Sequence, residues 1–285
     1  MAALVAAGPA LPVAAVDAAP SAGAAGRRSA ASASRSVGGS HQRIAMRGGP
    51  VHLYRPPRYD RRTAGVVVYV HGYYTHVDRA WREHKLAAQF AASRLNALFI
   101  VPEAPASGEE ASRWTNLRRL LTTVLRRAGL PRPPGPLVLV GHSGAYRTMA
   151  PWLTEPSLRH VILVDGLYGN EGDFRAWLDR TPTNQLTLVV KGTAKWADPF
   201  VRAVPDAVTV PHIPAAIEDL SDEERAAKLL RLDSQYGHFE LITEGKTLPV
   251  LLRRTRVPLI RRAASNAAPK RASGSRRDES RSAPR

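Results

Sequence analysis

The stretch LVLVGHSGA, residues 137–145, decides the fold of this chain. Its first four residues are apolar, which is typical of a strand buried in a sheet, and Gly141 then begins a run of small or polar residues. Small residues let the backbone turn sharply from a strand into a helix, so we expect Ser143 at the tip of the turn. The start of a helix also stabilises developing negative charge. The stretch therefore predicts a buried strand that ends in an exposed, reactive serine.

Strand-like and helix-like segments alternate on both sides of this stretch. Short apolar runs rich in β-branched residues predict further strands at 51–54, 66–70, 97–101, 161–164 and 186–190. The spacing of apolar residues predicts helices near 81–91, 117–125, 174–178, 222–231 and 239–254. Such alternation is typical of a parallel sheet covered by helices, so the predicted fold class is α/β.

The turn at Gly141, Ser143 and Ala145 resembles the Gly-x-Ser-x-Gly nucleophile elbow of the α/β-hydrolase family, with alanine in place of the last glycine. Alanine is also small, so this departure is compatible with a tight elbow. The order of the predicted elements extends the resemblance over residues 41–262. It implies a single domain with a mostly parallel central sheet flanked by helices, and it implies that Ser143 is a catalytic nucleophile.

A serine nucleophile needs a general base, because its hydroxyl is hardly ionised at neutral pH. His238 lies late in the chain, where the family carries its catalytic histidine, so the resemblance implies this role for it. We expect His142 to point away across the elbow. Structural or surface positions are expected for His41, His52, His76, His84, His160 and His212.

Two residues compete to be the acid that orients the histidine. Asp165 ends the apolar run 161–164, where a charge is costly unless it has a purpose. Asp198 follows the next strand, where most of the family carries its acid, but it lies six residues beyond Gly192 and could instead cap a helix that starts at Pro199. We favour Asp165 and keep Asp198 as the alternative.

The segment HGYY, residues 71–74, directly follows the predicted strand at 66–70 and resembles the oxyanion loop of the family. The resemblance implies that the backbone amides of Tyr73 and Gly144 form the oxyanion hole. The alternative is a simple glycine turn. Residues expected near the substrate pocket follow strand ends or lie on the elbow helix: Tyr74, Glu103, Trp114, Tyr146, Arg147 and Tyr168.

Glu103 allows three interpretations from its position after a predicted strand. It could form an ion pair with Arg147, it could bind an amino group of the substrate, or it could be a solvated loop charge. The third interpretation is slightly favoured, because isolated carboxylates are usually exposed.

Composition sets the limits of the domain. The 285 residues carry a net charge of +17 and contain no cysteine, which excludes disulfides and a cysteine nucleophile. Residues 1–40 and 263–285 are poor in large apolar side chains, so both ends are predicted to be disordered. The first segment is either a low-complexity leader of a cytoplasmic protein or a signal-like segment of an exported one.

The predicted function is that of a serine hydrolase acting on a small-molecule acyl substrate without a cofactor. Ester hydrolysis is the default chemistry, although the same groups can hydrolyse amides or transfer acyl groups. No metal motif, specific nucleic-acid motif or membrane-spanning run is present, and the Arg118-Arg119 and Arg126-Arg127 pairs are interpreted as a solvated helix face. The basic tail could bind anionic polymers weakly. The alternative is a non-catalytic binding or scaffold protein of the same fold with charged ends.

Overall fold

The computed structural model describes residues 38–261. Its strands are β1 Ser40–Ile44, β2 Val51–Arg55, β3 Gly65–Val70, β4 Ala97–Pro102, β5 Leu137–His142, β6 Leu158–Val164, β7 Gln185–Val190, β8 Val208–Val210 and β9 Leu229–Asp233. Its α-helices are α1 Val77–Glu83, α2 Leu86–Ser93, α3 Leu117–Arg127, α4 Tyr146–Met149, α5 Glu171–Asp179, α6 Ala194–Arg202, α7 Asp222–Ala226, α8 Glu240–Thr243 and α9 Thr247–Arg253. The predictions for residues 1–37 and 262–285 lie outside the described residues.

The strands form one sheet in the order β1-β2-β4-β3-β5-β6-β7-β9-β8. The two pairings made by β2 are antiparallel, and every pairing from β4 onwards to β8 is parallel. Parallel strands place their carboxyl ends at one edge of the sheet, so the loops that follow β3, β5, β6 and β9 meet there. This edge therefore collects residues that are far apart in sequence.

Alternate residues of the central strands belong to two apolar cores, one on each face of the sheet. Val66 and Val68 of β3 pack in the core that contains α3 and α5, whereas Val67 and Tyr69 pack in the core that contains α2 and α9. A strand covered on both faces is apolar throughout, which explains why these strands were recognisable as continuous apolar runs. The predicted α/β architecture, a mostly parallel sheet flanked by helices, is confirmed.

Three helix predictions were wrong in their extent. The helix near 81–91 is divided into α1 and α2 at Lys85, which has a left-handed φ of 49°. The predicted helix at 222–231 ends at Ala226, and residues 229–233 form β9, which lies between β7 and β8. The predicted helix at 239–254 is divided into α8 and α9.

Within residues 38–261, no helix is both long and apolar enough to cross a membrane. The described part of the chain also contains no cluster of three or more His, Cys, Asp or Glu side chains suited to a metal ion.

Candidate active site

Ser143 lies at the turn between β5 and a short 3-10 helix at Ser143–Ala145. Its φ is 53°, a left-handed value that costs energy for a residue with a side chain and that persists only where packing enforces it. Gly141 supplies the space, since a β-carbon there would overlap the sulfur of Met149 on α4. The side chain of Ser143 is partly exposed, and its Oγ has no hydrogen-bond partner among the described residues.

Asp165 follows β6 and is fully buried. Its Oδ1 accepts hydrogen bonds from the amides of Lys191, Gly192 and Thr193 at 2.9 to 3.1 Å, and from the Thr193 hydroxyl at 2.9 Å. Burial alone would raise the pKa of Asp165, but these donors and His238 hold it well below its usual value. Asp165 is therefore an ionised carboxylate held in one position by the turn after β7.

His238 reaches the same edge from the loop between β9 and α8. Its Nδ1 donates a hydrogen bond to Asp165 Oδ2 at 2.6 Å, and the side chain is about a quarter exposed (27%). The structure thus brings His238 and Asp165 into direct contact at the end of the strand that neighbours β5. Phe239, which follows His238, is 60% exposed and packs edge-on against its ring.

The sequence suggested that His142 points away across the elbow, but in the structure its side chain faces His238. Its ring centroid lies 4.5 Å from that of His238, and its Nε2 donates to the backbone carbonyl of His238 at 3.1 Å. Burial, with a smaller effect of the nearby His238, lowers the pKa of His142 to about 3. A neutral His142 therefore supports the loop that carries His238.

Asp198, the alternative acid, lies in the interior of α6 rather than at its start. The helix begins at Ala194, so Asp198 does not cap a helix at Pro199. Its Oδ1 pairs with Arg231 at 2.5 Å, and Arg231 also pairs with Asp233 at 2.8 Å. Among the two candidate acids, the contact with His238 is made by Asp165.

The segment after β3 packs directly on the elbow. A β-carbon at Gly144 would overlap the ring of Tyr73, so any larger residue there would have to displace this ring. The amide of Tyr73 has no backbone acceptor within residues 38–261, whereas the next amide, that of Tyr74, donates to Ala106 at 2.8 Å. An unused backbone donor, the Tyr73 amide, therefore belongs to the residue that packs on Gly144 at the turn that carries Ser143.

His71 orients the peptide that contains the Tyr73 amide. Its Nδ1 donates to the carbonyl oxygen of Gly72 at 2.8 Å. The Gly72 carbonyl and the Tyr73 N–H belong to the same trans peptide unit and point in opposite directions, so fixing one fixes the other. The Tyr73 N–H therefore points away from His71.

Glu103 neither pairs with Arg147 nor extends into solvent, which corrects two of its interpretations. It is buried after β4, and its Oε1 lies 3.1 Å from His71 Nε2 and 3.1 Å from the amide of Val77 at the start of α1. Burial alone would raise the pKa of Glu103, but the contacts with His71 and the Val77 amide hold it below its usual value. The carboxylate thus lies against His71 from behind, and the amide of Ala104 reaches the same Nε2 at 3.1 Å.

The other residues expected near a pocket fall into two groups. Tyr146 and Tyr168 lie in a row of aromatic rings with Trp196, at centroid separations of 6.3 and 5.1 Å. Burial, with a smaller effect of the Asp165 charge, raises the pKa of Tyr168 to about 12, so its hydroxyl stays protonated. This row begins on the elbow helix and reaches the turn that holds Asp165.

On the opposite side, Arg147 donates to the hydroxyl of Tyr73 at 3.1 Å and to the carbonyl of Gly108. Tyr74 is 83% exposed at the rim. Trp114 instead packs against Gly48, and its carbonyl accepts a hydrogen bond from Trp152 at 2.6 Å.

Sequence reasoning missed the contributions of Trp196, of the His142 ring and of the backbone cradle at residues 191–193. Their signals were weak for a physical reason. Any residue type supplies a backbone amide, so the sequence does not show which amides bind Asp165. Trp196 lies on α6, which begins at Ala194 rather than at Pro199, where the sequence suggested a helix start. Its position six residues after β7, on the same sheet edge as Asp165, was the available clue.

Comparison with known proteins gives a family and a fold. A sequence model of the alpha/beta hydrolase family matches residues 67–279. No curated protein gives a significant match. Among solved structures, one described as FAE is 11% identical over 74% of this chain and 86% of that chain, with a TM-score of 0.51, which is a likeness of fold.

Two further structures have lower TM-scores. A feruloyl esterase module from Clostridium thermocellum, complexed with sinapinate, is 11% identical over 74% of this chain and 86% of its own, with a TM-score of 0.49. An S-formylglutathione hydrolase from Agrobacterium tumefaciens is 11% identical over 73% of this chain and 90% of its own, also with a TM-score of 0.49. Because the family model spans most of the chain, this protein belongs to the alpha/beta hydrolase family and is a hydrolase.

Proposed function

We propose that this hydrolase cleaves carboxylic esters of small molecules through Ser143, His238 and Asp165. The observation that carries the proposal is the 2.6 Å hydrogen bond from His238 Nδ1 to Asp165 Oδ2, at the strand edge where Ser143 also lies. A proton held on Nδ1 leaves Nε2 with the lone pair that a general base needs. The buried carboxylate also stabilises the imidazolium that forms when His238 accepts a proton.

The reaction follows the acyl-enzyme route. Ser143 Oγ attacks the ester carbonyl carbon, His238 takes the hydroxyl proton, and the carbonyl oxygen becomes an oxyanion. The Tyr73 and Gly144 amides donate to this oxyanion, and each such donor typically contributes about 3–4 kcal/mol. The C–O bond then breaks, His238 gives its proton to the leaving alcohol, and water releases the acyl group from Ser143 by the same steps.

Labelling with a fluorophosphonate probe tests the nucleophile. The probe should label the wild-type protein and should not label Ser143→Ala, because the probe reacts with an activated serine. Ser143→Ala should keep the circular dichroism spectrum of the wild type while it loses turnover of short-chain esters. Labelling of a folded Ser143→Ala variant at the wild-type rate would contradict the proposal and would favour a non-catalytic role for the elbow.

A matched pair of variants tests the acid. Asp165→Asn should lower kcat by about 10⁴-fold, the usual effect when an amide replaces the acid and stabilises the wrong histidine tautomer. Asp198→Asn should change kcat by at most about threefold, because its contact is with Arg231. The melting temperature of both variants is measured alongside kcat, since Asp165 is buried. A folded, active Asp165→Asn combined with an inactive Asp198→Asn would assign the acid to α6.

A further inference from the structure

A groove on the face of α3 collects arginines from three separate segments of the chain. The groove has a volume of about 860 Å³ and lies between the turn at residues 46–48, the loop at residues 110–116 and the exposed face of α3. Its charged lining consists of Arg47, Glu110, Arg113, Arg119, Arg126 and Arg127. Five cations thus surround one carboxylate.

Most of this positive charge is not neutralised within residues 38–261. Glu110 pairs with Arg113 at 3.1 Å, and Arg127 donates to the carbonyl oxygen of Ala45 at 2.8 Å. No carboxylate of the described residues pairs with Arg47, Arg119 or Arg126. Like charges that share a groove repel one another, and a bound anion removes this repulsion.

The concave shape distinguishes this surface from the solvated helix face that the sequence suggested. The apolar side of α3, which includes Leu120 and Val124, is buried in the core, so its arginines point outwards. Arg119 and Arg126 lie seven residues apart, about two helical turns, and therefore share one side of the helix. Arg47 approaches the same groove from the turn between β1 and β2, so several guanidinium groups face one volume.

We infer that this groove binds a small ligand that carries more than one phosphate group. A guanidinium group presents its N–H donors in a planar fork that matches phosphate oxygens, and its charge is permanent. The charged lining of the groove supplies five guanidinium groups and one carboxylate, which suits a ligand whose polar atoms are mostly acceptor oxygens. Its volume lies in the range of pockets that enclose small molecules.

The loop that forms one wall of the groove also contacts the candidate active site. Ala106 accepts from the amide of Tyr74, and Gly108 accepts from Arg147, before the loop reaches Glu110. The binding inference is independent of the ester chemistry, because none of the groove arginines belongs to the proposed catalytic group. Binding should therefore persist in Ser143→Ala, even if the ester proposal fails.

Isothermal titration of the full chain with inorganic tripolyphosphate tests the inference. The wild type should show a saturable site, and Arg119→Ala/Arg126→Ala should weaken its affinity about tenfold or more. Arg61→Ala/Arg62→Ala is the matched control, since it removes two exposed positive charges outside the groove and should change the affinity less than about twofold. Equal weakening by both double variants, or unchanged binding in the groove variant, would overturn the inference.

A second variant separates geometry from charge. Arg119→Lys/Arg126→Lys keeps the net charge but loses the planar fork, and it should bind tripolyphosphate about threefold or more weakly than the wild type. Wild-type affinity in the lysine variant would contradict a specific arginine site and would indicate that the anion is attracted to the basic surface in general. The circular dichroism spectrum of each variant verifies its fold.

Discussion

The buried carboxylate of Glu103 connects residues 71–74, the proposed oxyanion loop, to the end of β4. It contacts His71, which holds the Gly72 carbonyl and so sets the direction of the Tyr73 N–H. Because the donor must point at the place where charge develops, a small rotation of this peptide weakens the stabilisation of the transition state more than it weakens substrate binding. Glu103 is thus a positioning residue within the proposed mechanism.

We expect Glu103→Gln to lower kcat about tenfold and to leave KM nearly unchanged, because glutamine still accepts from Val77 but replaces the carboxylate that lies against His71 Nε2. Steady-state kinetics with a short-chain ester measure both constants. Glu109→Gln is the matched control in the same loop, since Glu109 is exposed, and it should behave as the wild type. A rise in KM with an unchanged kcat would contradict a positioning role.

Gly144 packs directly under the ring of Tyr73, and a β-carbon at this position would overlap that ring. Gly144→Ala should displace Tyr73 and lower kcat about 100-fold, the scale of one lost oxyanion donor. Gly172→Ala provides the comparison, because a β-carbon there meets nothing within 4 Å; it should keep full activity and raise the unfolding free energy by up to about 1 kcal/mol. An active Gly144→Ala with an unchanged melting temperature would show that the contact is unimportant.

The sequence indicated a catalytic role where the residue type and its position in the chain were both unusual. Asp165 was recognisable because a charged residue directly follows a buried strand, and His238 was recognisable from its order in the chain. The sequence could not indicate that Glu103 is buried, because its partners His71 and Val77 come from a different loop. The same limit applied to His142, whose contact with His238 spans 96 positions.

At the level of elements, Arg254 joins the end of α9 to the sheet. Its guanidinium group is buried and donates to Thr187 at 2.8 Å and to the carbonyl of Ala227. It lies 3.3 Å from His160, and burial lowers the pKa of Arg254 to about 10, which leaves it charged at neutral pH. Contacts with β6, β7 and the carbonyl of Ala227 therefore take the place of water around the Arg254 guanidinium group.

Arg254→Ala should lower the unfolding free energy by about 3 kcal/mol, because it leaves buried acceptors unpaired and opens a cavity. The neighbouring Arg253→Ala should cost less than about 1 kcal/mol, since its partner Glu218 is mostly exposed. Urea denaturation followed by circular dichroism gives both values. Similar losses in the two variants would refute the special role of Arg254.

Elements were predictable where burial on both faces produced an unbroken apolar run, as in β3 and β7. The strand β9, with the sequence LLRLD, was mistaken for the end of a helix because Arg231 and Asp233 interrupt its run and a capping box at Ser221 precedes it. Pairing with β7 and β8 on either side outweighs the local helical preference. The short strand β8 and the polar strand β1 gave no comparable signal.

At the level of the whole molecule, buried histidines make the folded state sensitive to acid. Burial lowers the pKa of His84 from 6.5 to about 4, and the Nδ1 atom of this residue has no partner among the described residues. A folded-state pKa below the unfolded value means that the unfolded chain binds the proton first as the pH falls. Stability is therefore complete above about pH 6.5 and decreases towards pH 4.

His84→Gln should reduce the slope of unfolding free energy against pH between about 4.5 and 6 by about 1.4 kcal/mol per pH unit, the contribution of one proton. Urea unfolding at a series of pH values measures this slope, which does not depend on the absolute stability of the variant. His212→Gln, at an exposed position, should leave the slope unchanged. An identical slope in His84→Gln and the wild type would contradict the assignment.

The two edge strands of the sheet have a consequence for behaviour at high concentration. The β1 edge is the strand SHQRI, which carries polar side chains, and the β8 edge is only three residues long. An exposed strand edge invites pairing with a strand of another molecule when it is long, flat and apolar. Neither edge meets that description, so each is a poor template for edge-to-edge aggregation, and the long apolar strands that could aggregate lie between them.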